Sequence, residues 1–193
     1  MVAETGCAPV VRLQPLRLPD QAAALVAFLT GEDWPFHYDL RPAAAQVQAS
    51  IDAGRFASLD AQTFWVMVDD ARAGLIRLYD LQDVDDGEPQ FDLRVTAASR
   101  GCGVARAALH ALCDHAFGSW PQLARISAET RADNLAMRRV LAACGFVLEG
   151  QLRCAWQSAN GARHDALWFG LLRSDWSSGE ITPVQWVDDV RGA

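Results

Sequence analysis

The sequence predicts a single α/β domain of the α+β kind, in which strands and helices are mixed along one chain. Three observations predict it. Hydrophobic periodicity switches repeatedly between about 2 and about 3.6 residues. A glycine-containing loop, Arg100 to Ala105, follows a strand-like segment and opens an amphipathic helix. Near the end, Asn160-Gly161 separates two strand-like runs, the pattern of a tight hairpin.

Val10 to Leu13 is a short apolar segment that reads as a first strand, and Pro19-Asp20 starts a helix with Leu25, Val26 and Leu29 at helical spacing. Thr30-Gly31 ends that helix. An aromatic-rich loop, Glu32 to Tyr38, leads to Pro42, which suits the first position of a second helix with Val47 and Ile51 on one face and Gly54 as its stop. Thr63 to Val68 and Ala73 to Tyr79 form a hairpin across the polar turn at Asp69 to Arg72. The acidic stretch containing Asp80, Asp83, Asp85, Asp86 and Glu88 lacks EF-hand spacing and reads as a solvated turn. Phe91 to Val95 is the strand before the glycine loop; Val104, Ala108 and Leu112 then make one helical stripe, with His110 and His115 read as surface residues. Leu123 to Ala128 is a further strand. Asp133 or Asn134 caps a helix whose buried face is Met137, Val140, Leu141 and Cys144, with Gly145 as its left-handed stop. Phe146 to Trp156 and His164 to Leu172 are the last two strands. Residues 1–175 are therefore expected to form one domain, and residues 176–193 a C-terminal extension.

Composition narrows the function classes. Half of the 193 residues are apolar and the net charge is −7, which disfavours nucleic acid as a partner and favours a cationic one. Five scattered cysteines without a C-x-x-C pair suggest neither a disulfide framework nor a metal site, and fit a reducing, cytoplasmic setting. No apolar run approaches the ~18 residues of a membrane span. The loop Arg100-Gly101-Cys102-Gly103-Val104-Ala105 places two glycines and the free N–H groups of a helix start where an anion can approach. It is not a dinucleotide fingerprint, since Arg106 stands where the third glycine belongs, nor a P-loop, since no G-K-[ST] follows.

What it does match is [Q/R]-x-x-G-x-[G/A], through Arg100, Gly103 and Ala105. That pattern resembles the pyrophosphate loop of the GNAT superfamily of N-acetyltransferases. The later run Ala132-Asp133-Asn134, Met137, Val140, Leu141 and Gly145-Phe146 is similar to N-x-x-S-x-x-(V/L)-x-x-x-x-G-F of the RimJ/RimL-like branch. The resemblance spans roughly Val10 to Asp175. It implies a central, mostly antiparallel mixed sheet of six to seven strands, with strands 4 and 5 splayed and helices on both faces. It also implies acetyl-CoA as cosubstrate: the pyrophosphate on Arg100, Gly101, Cys102, Gly103, Val104, Ala105 and Arg106, the pantetheine arm along Leu93 and Val95, and Asn134 beside that arm.

The implied reaction moves an acetyl group to a primary amine by direct attack in a ternary complex. The acceptor stays open among a protein N-terminus, an aminoglycoside and a polyamine, and a CoA-binding sensor without catalysis is the rival from another class. Catalytic residues transfer less well. Met137 stands at the branch's serine position, Phe91 near that of a glutamate common in relatives, and both tyrosines, Tyr38 and Tyr79, lie far upstream of the second motif. Asp165, where the last strand of the branch often carries an acidic residue, is the first candidate for handling the amine, with His164 beside it. His37 is a further candidate, and Asp92 another, although Asp92 with Arg94 also reads as a surface pair. Trp34 and Phe36 are candidates for walling the acceptor site. A thiol at Cys102 has no adjacent histidine to activate it. The chain is expected to be a monomer or homodimer that needs no metal.

Overall fold

The computed structural model describes residues 9–82, 84 and 87–186. In chain order it runs β1 Val11–Pro15, α1 Ala22–Gly31, α2 Ala44–Asp52, β2 Ala61–Val68, β3 Ala71–Tyr79, β4 Gln90–Val95, a 3₁₀ turn at Ala97–Ser99, α3 Val104–Ser119, β5 Arg125–Arg131, α4 Leu135–Ala143, β6 Val147–Gln157, β7 Arg163–Leu172 and α5 Arg173–Ser178. The expected order of strands and helices is the observed one. Cys7 and the acidic positions Asp83, Asp85 and Asp86 lie outside the described residues, as does the chain after residue 186.

Seven strands form one sheet in the order β1-β2-β3-β4-β5-β7-β6. Every neighbouring pair is antiparallel except β4 and β5, which run parallel. That pair is joined at one place only, Gln90 opposite Ser127, with Ser127 N–H donating to Pro89 O at 2.9 Å. Beyond it the two strands part.

Side-chain alternation in β2 assigns the two faces. Phe64 and Val66 pack with Ile76, Leu109, Leu112 and Leu141, while Trp65 and Met67 pack with Leu25, Leu29 and Val47. With a period of two, one strand supplies both cores, so α3 and α4 cover one face and α1 and α2 the other. His115 belongs to this packing rather than to the surface. It is half-buried on α3, 2.9 Å from Gln62 Oε1 and edge-on to Phe64, and burial pulls its pKa down.

Local chemistry sets the ends of the elements. The Asp69-Asp70 turn between β2 and β3 has φ of 46° and 62°, a left-handed pair that aspartate tolerates. Asn134 caps α4, its Oδ1 accepting from Met137 N–H at 3.2 Å. Gly145, with φ of 84°, ends the helix, and Phe146 N–H folds back on Leu141 O at 3.0 Å. The helix expected from Pro42 begins two residues later, at Ala44, with Ala43 N–H held by the Gln46 side chain at 2.7 Å; Pro42 keeps the preceding residue extended and serves as the approach. After β7, Arg173 donates to the carbonyls of Phe117, Trp120 and Leu123, closing the C-terminal end of α3. Helix α5 crosses the expected boundary at residue 175, and Trp176 packs on the core.

Gly74 of β3, opposite Val95 of β4, fixes how closely these two strands approach, because a Cβ there would overlap the backbone carbonyl oxygen of Arg94. Gly74→Ala is expected to lower stability by about 1–3 kcal/mol, the usual cost of forcing atoms into a filled space, read as a lower melting temperature. Gly118→Ala in α3, whose Cβ would meet nothing within 4 Å, is the control and should be neutral or stabilising. Equal melting temperatures for the two variants would contradict this packing account.

Candidate active site

The parting of β4 from β5 leaves backbone groups without sheet partners. Thr96 N–H donates to Ala73 O at 2.9 Å, and ladder alternation from that point turns the N–H and C=O of Leu93 and Val95 toward the gap. Val95 O takes one bond, from Arg100 Nε at 3.0 Å. At the end of β4 the chain turns through Gly101 (φ 78°) and Gly103 (φ 81°) into α3. Among the described residues, no backbone carbonyl accepts from the N–H groups of residues 101–106, and the first helical bond is Ala107 N–H to Gly103 O at 3.1 Å. Six adjacent donors at the positive end of a 16-residue helix form a site for an anionic group. Val104 turns its side chain into the core and leaves only its backbone there.

A cavity of about 330 Å³ runs from this loop along β4, lined by Trp34, Phe36, Leu93, Val95, Ala105 and Met137 among others. Mostly apolar and bordered by unpaired backbone, it fits a pantetheine-like arm laid beside β4 as a short added strand would be. A second cavity of about 280 Å³ continues from it between the strands. Phe36, His37, Leu93, Arg94, Asn134 and Met137 border both, so the two form one cleft with a donor half and an acceptor half.

The acceptor half contains the titratable groups. His37 Nε2 lies 2.9 Å from Asp92 Oδ1, and Arg94 reaches Asp92 Oδ2 at 3.3 Å. Asp92 and Arg94 are thus not a surface pair: their side chains are 23% and 16% exposed. Burial opposes the charge on Asp92, yet Arg94, His37 and Arg77 together hold its carboxyl well below the usual range. An ionised Asp92 requires the proton on His37 Nε2. His37 Nδ1 is buried and has no hydrogen-bond partner among the described residues. Facing this pair, Glu129 of β5 has its pKa raised by burial and forms no ion pair among the described residues. Tyr79 is pushed up to about 12 by burial and then by Asp92, so it keeps its proton at neutral pH.

Other expected site residues have different surroundings. Asp165 does not border the cleft; its carboxylate accepts from Cys154 N–H at 2.9 Å and Gln151 Nε2 at 2.8 Å, tying down a bulge in β6 where Cys154 has φ of 53°. These hydrogen bonds, Cys154 first, lower its pKa. His164 contacts Arg131 at 3.3 Å, outside the cleft lining. Arg100 donates to Val95 O and to Asp33 O at 3.1 Å, so it fastens the aromatic loop to β4. Arg106 and Cys102 are exposed beside the helix start. Asn134 spans both halves of the cleft while capping α4. Trp34 is 1% exposed, with Nε1 donating to Leu29 O at 2.8 Å, and it walls the donor half. Phe36 borders both halves.

Glu129 and Tyr79 were not identifiable from motif spacing. Glu129 lies one residue past the expected end of its strand, and Tyr79 reaches the cleft only because β3 pairs with β4 in the register Tyr79 opposite Gln90. The available signal for Glu129 was alternation: Ile126 and Ala128 face the core, so Glu129 takes the opposite face of the strand that leads to Asn134.

Comparison with known proteins agrees with this geometry. Residues 11–147 match the acetyltransferase (GNAT) domain family. No curated protein matches the chain. Among solved structures, Mycobacterium smegmatis RimJ in complex with CoA-disulfide is 27% identical, with a TM-score of 0.68 over 87% of this chain and 84% of that one. The spermidine N-acetyltransferase of Vibrio cholerae in complex with CoA and spermine is 17% identical, with a TM-score of 0.69 over 86% and 98%. With a parted parallel pair at the sheet centre, a glycine loop at the start of α3 and a family match over most of its length, the chain belongs to the GNAT acetyltransferase family.

Proposed function

We propose that this acetyltransferase passes the acetyl group of acetyl-CoA to a primary amine held in the acceptor half of the cleft, by direct attack in a ternary complex. The observation that carries this reading is the continuity of the cleft. One half reaches Ala105 at a helix start where the N–H groups of residues 101–106 meet no backbone acceptor among the described residues, and the other holds Glu129, a carboxylate with no ion pair among them, opposite the His37–Asp92 pair. The CoA bound to both solved relatives supports the same donor.

Acetyl-CoA, when bound, supplies an acyl thioester whose carbonyl carbon is open to an amine. The chain's own residues do the rest. Residues 101–106 hold negative charge through their N–H groups, and Leu93 and Val95 offer backbone donors and acceptors along β4. An acyl oxygen near those β4 N–H groups gains a hydrogen bond that strengthens as negative charge develops on it. Glu129 attracts an ammonium and accepts its proton, because an ionised, half-buried carboxylate lacking a partner gains most from a cation. His37, held by Asp92, sets its ring in the opposite wall and so helps to shape the space in which the amine sits. Tyr79 stays protonated and offers an O–H to the departing sulfur.

Acetyl-CoA at a hundred times Kd is expected to stabilise the protein by about 2.7 kcal/mol, seen as a higher melting temperature. Ala105→Glu, on the first turn of α3 and bordering the donor half, should abolish that shift without lowering the melting temperature of the free protein, since a carboxylate suits a helix start. A full shift in Ala105→Glu would contradict the assignment of the donor half.

Glu129→Gln is expected to lower kcat by about 10²–10⁴-fold, measured as CoA release. Because burial raises the Glu129 pKa above 4.5, the ionised base is lost as pH falls through that raised value. Wild-type kcat/KM should therefore drop on the acid side at a pH above the ordinary glutamate range, and the Gln variant should lack that limb. An unchanged acid limb in the variant would assign it to another group.

A further inference from the structure

The acceptor half continues past Tyr38 into a side chamber of about 300 Å³ between α2 and the sheet. Tyr38, Arg77, Asp92 and Arg94 border both spaces. The charged residues lining the chamber are Arg55, Arg77, Arg94, Asp39 and Asp92. Arg94 and Asp92 neutralise each other, with His37 as the second partner of Asp92. That leaves two arginines against Asp39 in the lining.

Arg77 is the unusual member. Among the described residues it has no ion pair. Its Nη1 donates to Arg55 O at 2.9 Å, and its Nε is buried without a hydrogen-bond partner among the described residues. The guanidinium lies 4.6 Å from the ring centre of Tyr79 and 5.8 Å from that of Phe56. Stacking of this kind fixes the plane of the group; with Nη1 on Arg55 O and Nε sealed from solvent, Nη2 is the donor left free among the described residues. Asp92 and Asp80 act on this cation only from a distance, neither forming an ion pair with it among the described residues, so an anion in direct contact would supply the pairing that its partial burial lacks. Nη2 and the second N–H of Nη1 form the open end of the planar fork, which offers a carboxylate two hydrogen bonds.

Given that the cleft is an amine-acceptor site, we infer that its acceptor also carries a carboxylate, and that Arg77 is the specificity-determining residue that binds it. The cleft is dipolar along its length, with Glu129 on β5 facing the ammonium and Arg77 on β3 facing the anion. The net charge of −7 on the whole chain draws cations toward the protein. At the site itself, however, a polyamine would set its second ammonium against Arg77. An amino acid or a peptide with an acidic residue near its N-terminus satisfies both ends.

The test compares matched ligands on the full chain with CoA present: ω-amino carboxylates of three to six carbons, their amides and the corresponding diamines, with affinities measured by calorimetry. A parallel arm compares tripeptides beginning with Asp or with Asn, which separates a peptide source of the carboxylate from a free amino acid. The best amino carboxylate, or the Asp peptide, is expected to bind at least about tenfold tighter than its amide and than the diamine. Arg77→Gln should erase that preference while the amide binds as before, and Arg77→Lys, which keeps the charge and the packing volume, should retain part of it. Equal binding of carboxylate and amide, tighter binding of the diamine, a preference that survives in Arg77→Gln, or no binding of any of them at millimolar concentration would each overturn the inference. CoA release from acetyl-CoA is followed with the same compounds. Carboxylate preference without any turnover would refute acetyl transfer and leave the anion site standing, whereas turnover of the diamine without carboxylate preference would do the reverse.

Discussion

The structure depends on two parallel strands that pair once and then separate. A continuous β4–β5 ladder would satisfy every backbone group between them and fill the centre of the sheet. With contact limited to Gln90 and Ser127, the polar groups of Leu93 and Val95 face a gap, and buried backbone donors and acceptors left this way gain strongly from any ligand that pairs with them. The same parting opens a passage from the start of α3, on one face of the sheet, to the carboxylates and rings on the other. Donor and acceptor halves are therefore two views of one missing ladder.

A gap of this kind needs a brace, and the aromatic loop between α1 and α2 supplies one. On the β4 side it is fixed by His37 to Asp92, by Asp33 O to Arg100, and by Glu32, which accepts from Ala97 N–H at 2.7 Å. On the β5 side Arg131 reaches Pro35 O at 3.4 Å and lies 5.3 Å from the ring centre of Phe36. The β6–β7 hairpin adds a contact, Ala159 N–H to Tyr38 O at 3.0 Å. Trp34, buried beneath, is flanked by the guanidinium groups of Arg94 and Arg100. Arg100, which resembles a phosphate ligand in sequence, thus holds this loop in place, while the N–H groups of the helix start stay without backbone acceptors among the described residues.

This division explains what the sequence made legible. Periodicity, turn residues and caps are local, so the element order, the Asn134 cap, the Gly145 stop and the glycine loop could be read directly. The donor half followed, because it is built from one continuous segment. The acceptor half is assembled from β3, β4, β5 and the aromatic loop, and its members lie up to about a hundred positions apart, so no spacing rule brings Tyr79 and Glu129 to His37. Asp165 shows the opposite error: an acidic residue on the expected strand, at an expected position, whose carboxylate holds a bulge. Asp92 and Arg94 read as a surface pair because alternation alone shows which face a strand residue takes, and α1, α2 and the loop between them cover that face.

The most direct test of the central claim concerns the unpaired backbone itself. Amide hydrogen exchange can be measured residue by residue on the free protein and on the protein saturated with acetyl-CoA. The parted-strand account predicts slowed exchange at Leu93, at Val95 and across residues 101–106, with little change in the paired ladders of β1 to β3. Unchanged exchange at Leu93 and Val95, with protection appearing elsewhere, would contradict it.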